Sequence, residues 1–460
     1  MKFNCIVVIA TLSLLLFHSA AYSQQWPGYE TGRFTGISSA TLRPAGMAAM
    51  PFKVDATLFG AHLNTKSKNI FGSDFLDVVF SGGFKSLSGF SELRSRTNVF
   101  SNLQGPSIQV RAHERVSLAF AWNIRYLWLS DFSEPDVARL FDKAESSLAL
   151  NAENESTHIL YTGWDEFGLG AAGILFEEDF HKFSAGAFVK LVFGTGHMNI
   201  NIEHLDVTSS GSMIRHMGFS IDSEASDNIN DLVDEGKLHF ADKVGYGFDI
   251  GAEYRMISLR SCPGASNYRL KAGFALNDIG KARYKSATLY SKKNAGTDNI
   301  SREAFLNGSL AATADTLREI FNIDESVTPD YSVTLPMSLR VYCEVTVRRR
   351  AIVYSEFHFM FAQLANPELP MLFRFNLTPR FEDDRYGIYV PLTFTNYIPA
   401  DAGLAIRLKP VVIGSGNLFT FWAYDRNKAL DFFVTLKIPI LNPDERIDWK
   451  VMGPRSRKTF

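Results

Sequence analysis

The sequence predicts an all-β protein: a 14-stranded antiparallel transmembrane β-barrel with a short N-terminal plug. Three observations carry this. Segments of alternating character recur along the chain. Their connections sort into short turns and long loops. No run after the N-terminus is long and apolar enough for a membrane helix.

The stretch Val244 to Asn277 shows the alternation best. Val244, Tyr246, Phe248, Ile250, Ala252 and Tyr254 alternate with Gly245, Gly247, Asp249, Gly251, Glu253 and Arg255. After SCPGAS, Tyr268, Leu270, Ala272, Phe274 and Leu276 alternate with Arg269, Lys271, Gly273, Ala275 and Asn277. A period of two puts successive side chains on opposite faces of a strand. Val116 to Leu127 repeats the pattern, with Phe120, Trp122, Ile124 and Tyr126 opposite Ala119, Ala121, Asn123 and Arg125.

Taken in order, residues 1–23 read as a signal peptide. Lys2 precedes the apolar run Ile6 to Phe17, and Ala21-Tyr22-Ser23 is a small-x-small cleavage site. Residues 24–51 are polar, glycine-containing and aperiodic, and are read as the plug. Residues 52–441 are the barrel: Phe52–Leu63, Ser107–His113, Val116–Leu127, Trp164–Phe176, Phe183–Phe193, the two strands of 244–277, Leu335–Val347, Ala351–Phe361, Met371–Leu377, Tyr386–Thr395, Ala402–Leu408, Val411–Trp422 and Asp431–Ile440. Helical stretches are expected at Asp136–Leu148 and Ala312–Phe321. Residues 442–460 form a polar, basic tail, expected in the periplasm with the N-terminus, because an even strand count returns the chain to its starting side.

The short connections are His113-Glu114-Arg115, residues 177–181 and 260–266, Arg348-Arg349-Arg350, residues 378–384 and the Lys409-Pro410 corner. The long ones begin with 64–105, 130–156, 194–243 and 280–329. This asymmetry is an outer-membrane signature. On that reading the aromatic faces meet lipid and the other faces line the lumen. Candidate lumen residues are Arg125, Lys190, Asp249, Glu253, Arg255, Lys271, Arg340, Glu344, Glu356, His358, Arg374, Arg407 and Lys437. Both signs occur, so they can pair across the lumen. The glycines beside Asp249 and Glu253 make room for a plug or ligand, or else this face holds an internal salt-bridge network.

A net charge of −2 speaks against nucleic acid as a partner. Cys262 and Cys343 remain after cleavage and are read as unpaired, with no metal spacing around them. The acidic run from Asp222 to Glu235 lacks EF-hand spacing and is read as a solvated loop rather than a calcium site. His197, His204 and His216 lie near Ser209, Ser210 and Ser212, the raw material of a rim hydrolase, but no nucleophile elbow accompanies them. The chain is therefore expected to be no enzyme, with no cofactor and no metal.

The segment SSATLRPAGMAAM resembles the one that precedes the first strand in FadL-type outer-membrane transporters and their PorV-like relatives. Pro44, Ala45, Gly46 and Met47 fit, and Arg43 stands where asparagine is usual. The hairpin GYGFDIGAEYR…YRLKAGFALNDIGKARY and the final strand FFVTLKIPI resemble an uncharacterised Bacteroidota barrel family. The FadL likeness implies 14 strands, a plug containing Arg43, Pro44, Ala45 and Gly46, and passage of hydrophobic molecules through an outer-membrane protein in contact with lipid. The PorV likeness implies instead a surface or secretion protein partner.

Overall fold

The computed structural model describes residues 26–67, 97–132, 149–178, 180–229, 242–257, 268–301, 318–347, 351–361, 372–395, 400–423 and 429–441. The signal peptide, the expected helix at 136–148, Cys262 with its turn, Arg348–Arg350 and the C-terminal tail lie outside them.

The strands are β1 (Phe52–Ser67), β2 (Thr97–Gln104), β3 (Ser107–His113), β4 (Val116–Phe132), β5 (Leu150–Glu178), β6 (His181–Ser210) and β7 (Met213–Ser226). There follow β8 (Val244–Met256), β9 (Leu270–Arg283), β10 (Ser286–Ser301), β11 (Asp324–Pro329), β12 (Ser332–Thr334), β13 (Ser338–Thr346) and β14 (Ala351–Met360). The last are β15 (Leu372–Glu382), β16 (Tyr386–Tyr389), β17 (Leu392–Thr395), β18 (Asp401–Ala402), β19 (Leu404–Leu408), β20 (Val411–Ser415) and β21 (Ala429–Leu441). Counting β2/β3, β12/β13, β16/β17 and β18/β19 as single interrupted strands and leaving out β7, β10 and β11, the wall has 14 antiparallel strands. It closes where β1 pairs with β21, from Phe52↔Leu441 to Lys66↔Ala429. Closure pairs the first strand with the last, so neither is left as a free edge, as it would be in an open sheet in lipid.

Alternation decides the faces. Along β8 the odd positions are buried and the even ones exposed or half-exposed, so Gly247, Asp249, Gly251 and Glu253 point in while Tyr246, Phe248 and Ile250 point out. Leu169, Val189, Leu191, Phe274, Val341 and Ile438 continue this outward belt on neighbouring strands.

Beyond the belt the structure departs from the expectation of loops. β5 and β6 run for 29 and 30 residues. The first half of β6 pairs with β8 and its second half with β7, the switch falling at Gly194–Gly196. β7 then pairs with β10, and β10 with β11. These strands form a ribbon on the long-loop side, with a core of Leu150, Leu205, Val207, Ile214, Phe219 and Phe321. The sequence hid them because bulges interrupt their alternation and Thr, Asn and Asp fill many positions. Where a strand was expected from Val411 to Trp422, β20 stops at Ser415 and a helix, α1, spans Leu418–Ala423. The intervening Gly416-Asn417 leaves the ladder: Asn417 Nδ2 donates to the Ala429 carbonyl, and the Asp431 carboxylate accepts from Gly416 N.

Candidate functional site: the barrel interior

Residues 26–50 lie inside the wall and are buried throughout, apart from half-buried Arg33. The segment contains two 3-10 turns, Tyr29–Thr31 and Pro44–Ala49, and one short α-turn, Ile37–Ala40. Such short pieces leave most backbone groups without internal partners. Inward side chains of the wall supply them. Asp55 on β1 accepts from Ile37 N at 2.8 Å, and Gln109 on β3 donates to the Met47 carbonyl at 3.2 Å. Ser184 on β6 donates to Ala45, Arg255 on β8 to Ala49 and Asn277 on β9 to Thr41. Lys437 on β21 donates to Thr35, and Glu382 on β15 accepts from Arg33 N.

Close approach needs small wall residues. A Cβ on Gly186 would lie 2.5 Å from the Pro44 carbonyl oxygen. Gly36 has φ +53°, and a Cβ there would overlap the Asp55 carboxylate. Trp26 packs on Gly60 and lies edge-on to Phe433 at 5.9 Å.

Every candidate lumen residue is buried. They sort into clusters. In the first, Lys190 Nζ lies 2.7 Å from both Asp249 and Asp278 and 3.5 Å from Glu166, while Arg125 bridges Glu166 and Asp278 at 2.8 Å each. In the second, Arg340 and Arg374 sit between Glu356 and Glu30, at 3.2 to 3.9 Å. His358 stands beside them with neither ring nitrogen hydrogen-bonded among the described residues. In the third, Arg255 pairs with Glu253 at 2.5 Å, Lys271 with Glu344 at 2.8 Å, and Arg380 with both Glu344 and Glu382. Lys437 pairs apart from these, with Asp55 at 2.8 Å. Arg407 lies over the Phe34 ring and donates to the Asp383 and Tyr386 carbonyls.

Of the plug candidates, Arg43 lies between the rings of Tyr342 and Tyr354, at 5.5 and 5.6 Å, and donates to the Glu30 carbonyl. Pro44 faces Gly186 and Gly251, and Gly46 faces Glu253.

Sequence reasoning missed Glu30, Arg33, Asp55, Glu166, Asp278, Arg380 and Glu382. Glu166 was visible, opposite Phe167 and Leu169 in the alternation. Arg380 and Glu382 were read as a turn, but β15 runs through them. Asp278 falls at a positive-φ position next to a register shift, where simple alternation fails.

The rim histidines do not gather. His197 contacts Glu224 at 3.2 Å, His204 contacts Asn154, and His216 contacts Asp298 at 2.7 Å. Ser209 accepts from Leu150 N within the ribbon. No cluster of metal-ligating side chains occurs among the described residues. Cys343 is a free thiol there.

Glu224 ties the ribbon to the wall top. Burial pushes its carboxyl upward, but hydrogen bonds with His197, Tyr331 and Asn199 and the charge of His197 outweigh this and hold it below the usual glutamate range. A carboxyl with a depressed folded pKa stabilises above its unfolded pKa, and that contribution is lost as pH falls through the folded value. The protection factors of β7 amides, exchange rates taken relative to the intrinsic rate at each pH, should therefore fall as pH drops through and below the ordinary glutamate range. Glu224→Gln should remove that dependence.

The family of unknown function DUF5723 matches residues 44–416, so the chain belongs to that family. No curated protein matches it. Among solved structures it is similar to the Ralstonia pickettii toluene transporter TbuX, at 10% identity and TM-score 0.44, over 93% of this chain and 100% of that one. It is also similar to a TodX monoaromatic hydrocarbon channel mutant, at 10% identity and TM-score 0.47, over 92% and 98%. A third likeness is to a Pseudomonas aeruginosa FadL homologue, at 10% identity and TM-score 0.41, over 92% and 97%.

Proposed function

We propose that this member of a family without assigned function is an outer-membrane channel for small hydrophobic or amphipathic molecules, with residues 24–51 as its plug and no covalent chemistry. Both termini then lie in the periplasm and the ribbon faces outward. The observation that carries the reading is the break in the wall between β20 and β21. Their ladder runs only from Val411↔Leu436 to Gly414↔Phe433, although β21 continues to Ala429, paired with β1. A sheet edge facing lipid must be covered. Here the cover is a side-chain clasp, Asn417 with Asp431, and the short apolar helix α1, LFTFWA. Axial passage is obstructed by the buried N-terminal segment. A solute that reaches the lumen from the long-loop side finds at this seam a stretch of wall where side chains replace a strand ladder. A hydrophobic solute leaving there enters lipid without crossing the charged interior.

The test is uptake by proteoliposomes carrying the purified chain. An apolar aromatic solute should accumulate faster than in empty vesicles, and Asn417→Ala with Asp431→Asn should raise the rate further. Equal rates with and without protein, or equal gains for a charged hydrophilic solute, would overturn the reading.

A second reading, a surface attachment or secretion partner, is favoured by the ribbon, whose outer strand β11 is exposed at every position. It calls for a stable protein complex after mild-detergent extraction and no change in uptake in the proteoliposome assay.

A further inference from the structure

Charge is not evenly matched inside the barrel. Around Arg340 two guanidiniums meet two carboxylates, and around Lys190 two cations meet three. The third cluster differs. Arg255, Lys271 and Arg380 are paired with Glu253, Glu344 and Glu382, which balances three against three. Arg33 and Arg43 come in addition, both from the N-terminal segment, and neither has a carboxylate oxygen within 4.0 Å of its guanidinium among the described residues.

Their direct partners are neutral. Arg33 donates to the hydroxyls of Tyr268 and Thr346, at 3.3 and 2.9 Å. Arg43 has a carbonyl and two tyrosine rings. The Tyr268 ring lies under three cations at once, with Arg33 at 4.7 Å, Lys271 at 5.1 Å and Arg255 at 5.5 Å. A ring face contributes about 0.5–2 kcal/mol per cation. Removing an ion from water costs several kcal/mol. Neither guanidinium thus has a carboxylate in direct contact, and at this spot five cations face three carboxylates.

A cavity lies at this spot. Arg33, Arg43, Arg255 and Lys271 line it, with Glu253 the only carboxylate in the lining and the Gly46 backbone beside it. The space open to the centre of a water-sized sphere is about 10 Å³, the room one water requires. A monatomic anion fits such a space with less rearrangement than a tetrahedral oxyanion such as sulfate.

We propose that this cavity binds a single halide-sized inorganic anion, which neutralises the excess positive charge and joins Arg33 and Arg43 of the N-terminal segment to Arg255 and Lys271 of the wall. The anion is a structural ligand. It locks the segment by bridging two parts of the chain, and its release loosens that contact. The inference stands whether or not the barrel transports anything.

The experiment uses the full chain in detergent. Crystals soaked in bromide, and measured at the bromine absorption edge, should show an anomalous peak within contact distance of the Arg43 and Arg255 guanidiniums. In solution, the thermal unfolding midpoint should rise with the logarithm of chloride or bromide concentration, against gluconate at matched ionic strength. That halide-specific rise should be lost in Arg33→Gln/Arg43→Gln. No peak in the cavity at saturating bromide overturns the proposal, even if the double variant fails to fold. So does an equal response to halide and gluconate, or a sulfate requirement that halide does not replace.

Discussion

Lys190→Met is expected to be among the most destabilising single changes in the barrel, lowering stability by about 3–5 kcal/mol. The lysine is buried, and its ammonium is the direct partner of Asp249 and of one oxygen of Asp278, both at 2.7 Å. Removing it leaves Glu166, Asp249 and Asp278 with Arg125, which bridges Glu166 and Asp278. Asp249 is then a buried carboxylate whose Oδ1 still accepts from Asp278 N but which has lost its counter-charge. The unboiled protein should shift to its unfolded gel mobility at a clearly lower temperature, and its urea midpoint should fall. Lys190→Met/Asp249→Asn removes the stranded charge together with its partner, and should recover a substantial part of the loss. If the single and double variants unfold together, the cluster is not an energetic unit.

The same cluster shows how far the sequence could be read. Period-two alternation placed Arg125, Lys190 and Asp249 on the inner face, because a charge on the lipid face of a strand costs about 2–4 kcal/mol at the midplane. It could not say which charge meets which. Pairing depends on register across β4, β5, β6, β8 and β9, and on the irregularity that turns Asp278 inward at φ 60°. The same limit explains the errors at the wall's upper end. The run LFTFWAY has enough aromatic alternation to pass for a strand, yet Gly416 and Asn417 have already left the ladder. The ribbon strands fail in the opposite direction, since bulges and polar residues break the apolar alternation while the backbone ladder persists. The N-terminal segment was legible as aperiodic and rich in small residues. Its seat was not, because the donors and acceptors that hold it come from seven wall strands scattered between Asp55 and Lys437.

That seat yields the second large effect. Gly186→Val should dislodge the N-terminal segment and convert a closed barrel into a conducting one. A Cβ at 186 would sit 2.5 Å from the Pro44 oxygen, 2.6 Å from its carbonyl carbon and 2.9 Å from Ala172 Cβ. Two of these three are backbone atoms and cannot rotate away, so either the segment or the wall must move. The wall at Gly186 is held by ladders on both sides, to Ala172 on β5 and Gly251 on β8. The segment is held there by isolated contacts, such as Ser184 Oγ to the Ala45 carbonyl and Arg255 to Ala49. A hydrogen bond from a charged donor contributes about 1.5–3 kcal/mol and a neutral one about 1 kcal/mol, against a cooperative ladder that would have to break on two edges. The segment should yield first. In planar bilayers the wild type should be quiet and Gly186→Val should give discrete openings. Gly173→Val, where the nearest atom to a new Cβ is 3.7 Å away, should stay quiet. Because the valine variant could also impair assembly, Gln109→Ala/Arg255→Gln supplies an independent route: it removes the donors to the Met47 and Ala49 carbonyls without adding bulk. Openings in both variants that retain heat-shifted gel mobility would establish residues 24–51 as the plug. A silent but folded Gly186→Val barrel would mean that the lumen stays shut without that segment, and the channel reading would lose its axial gate.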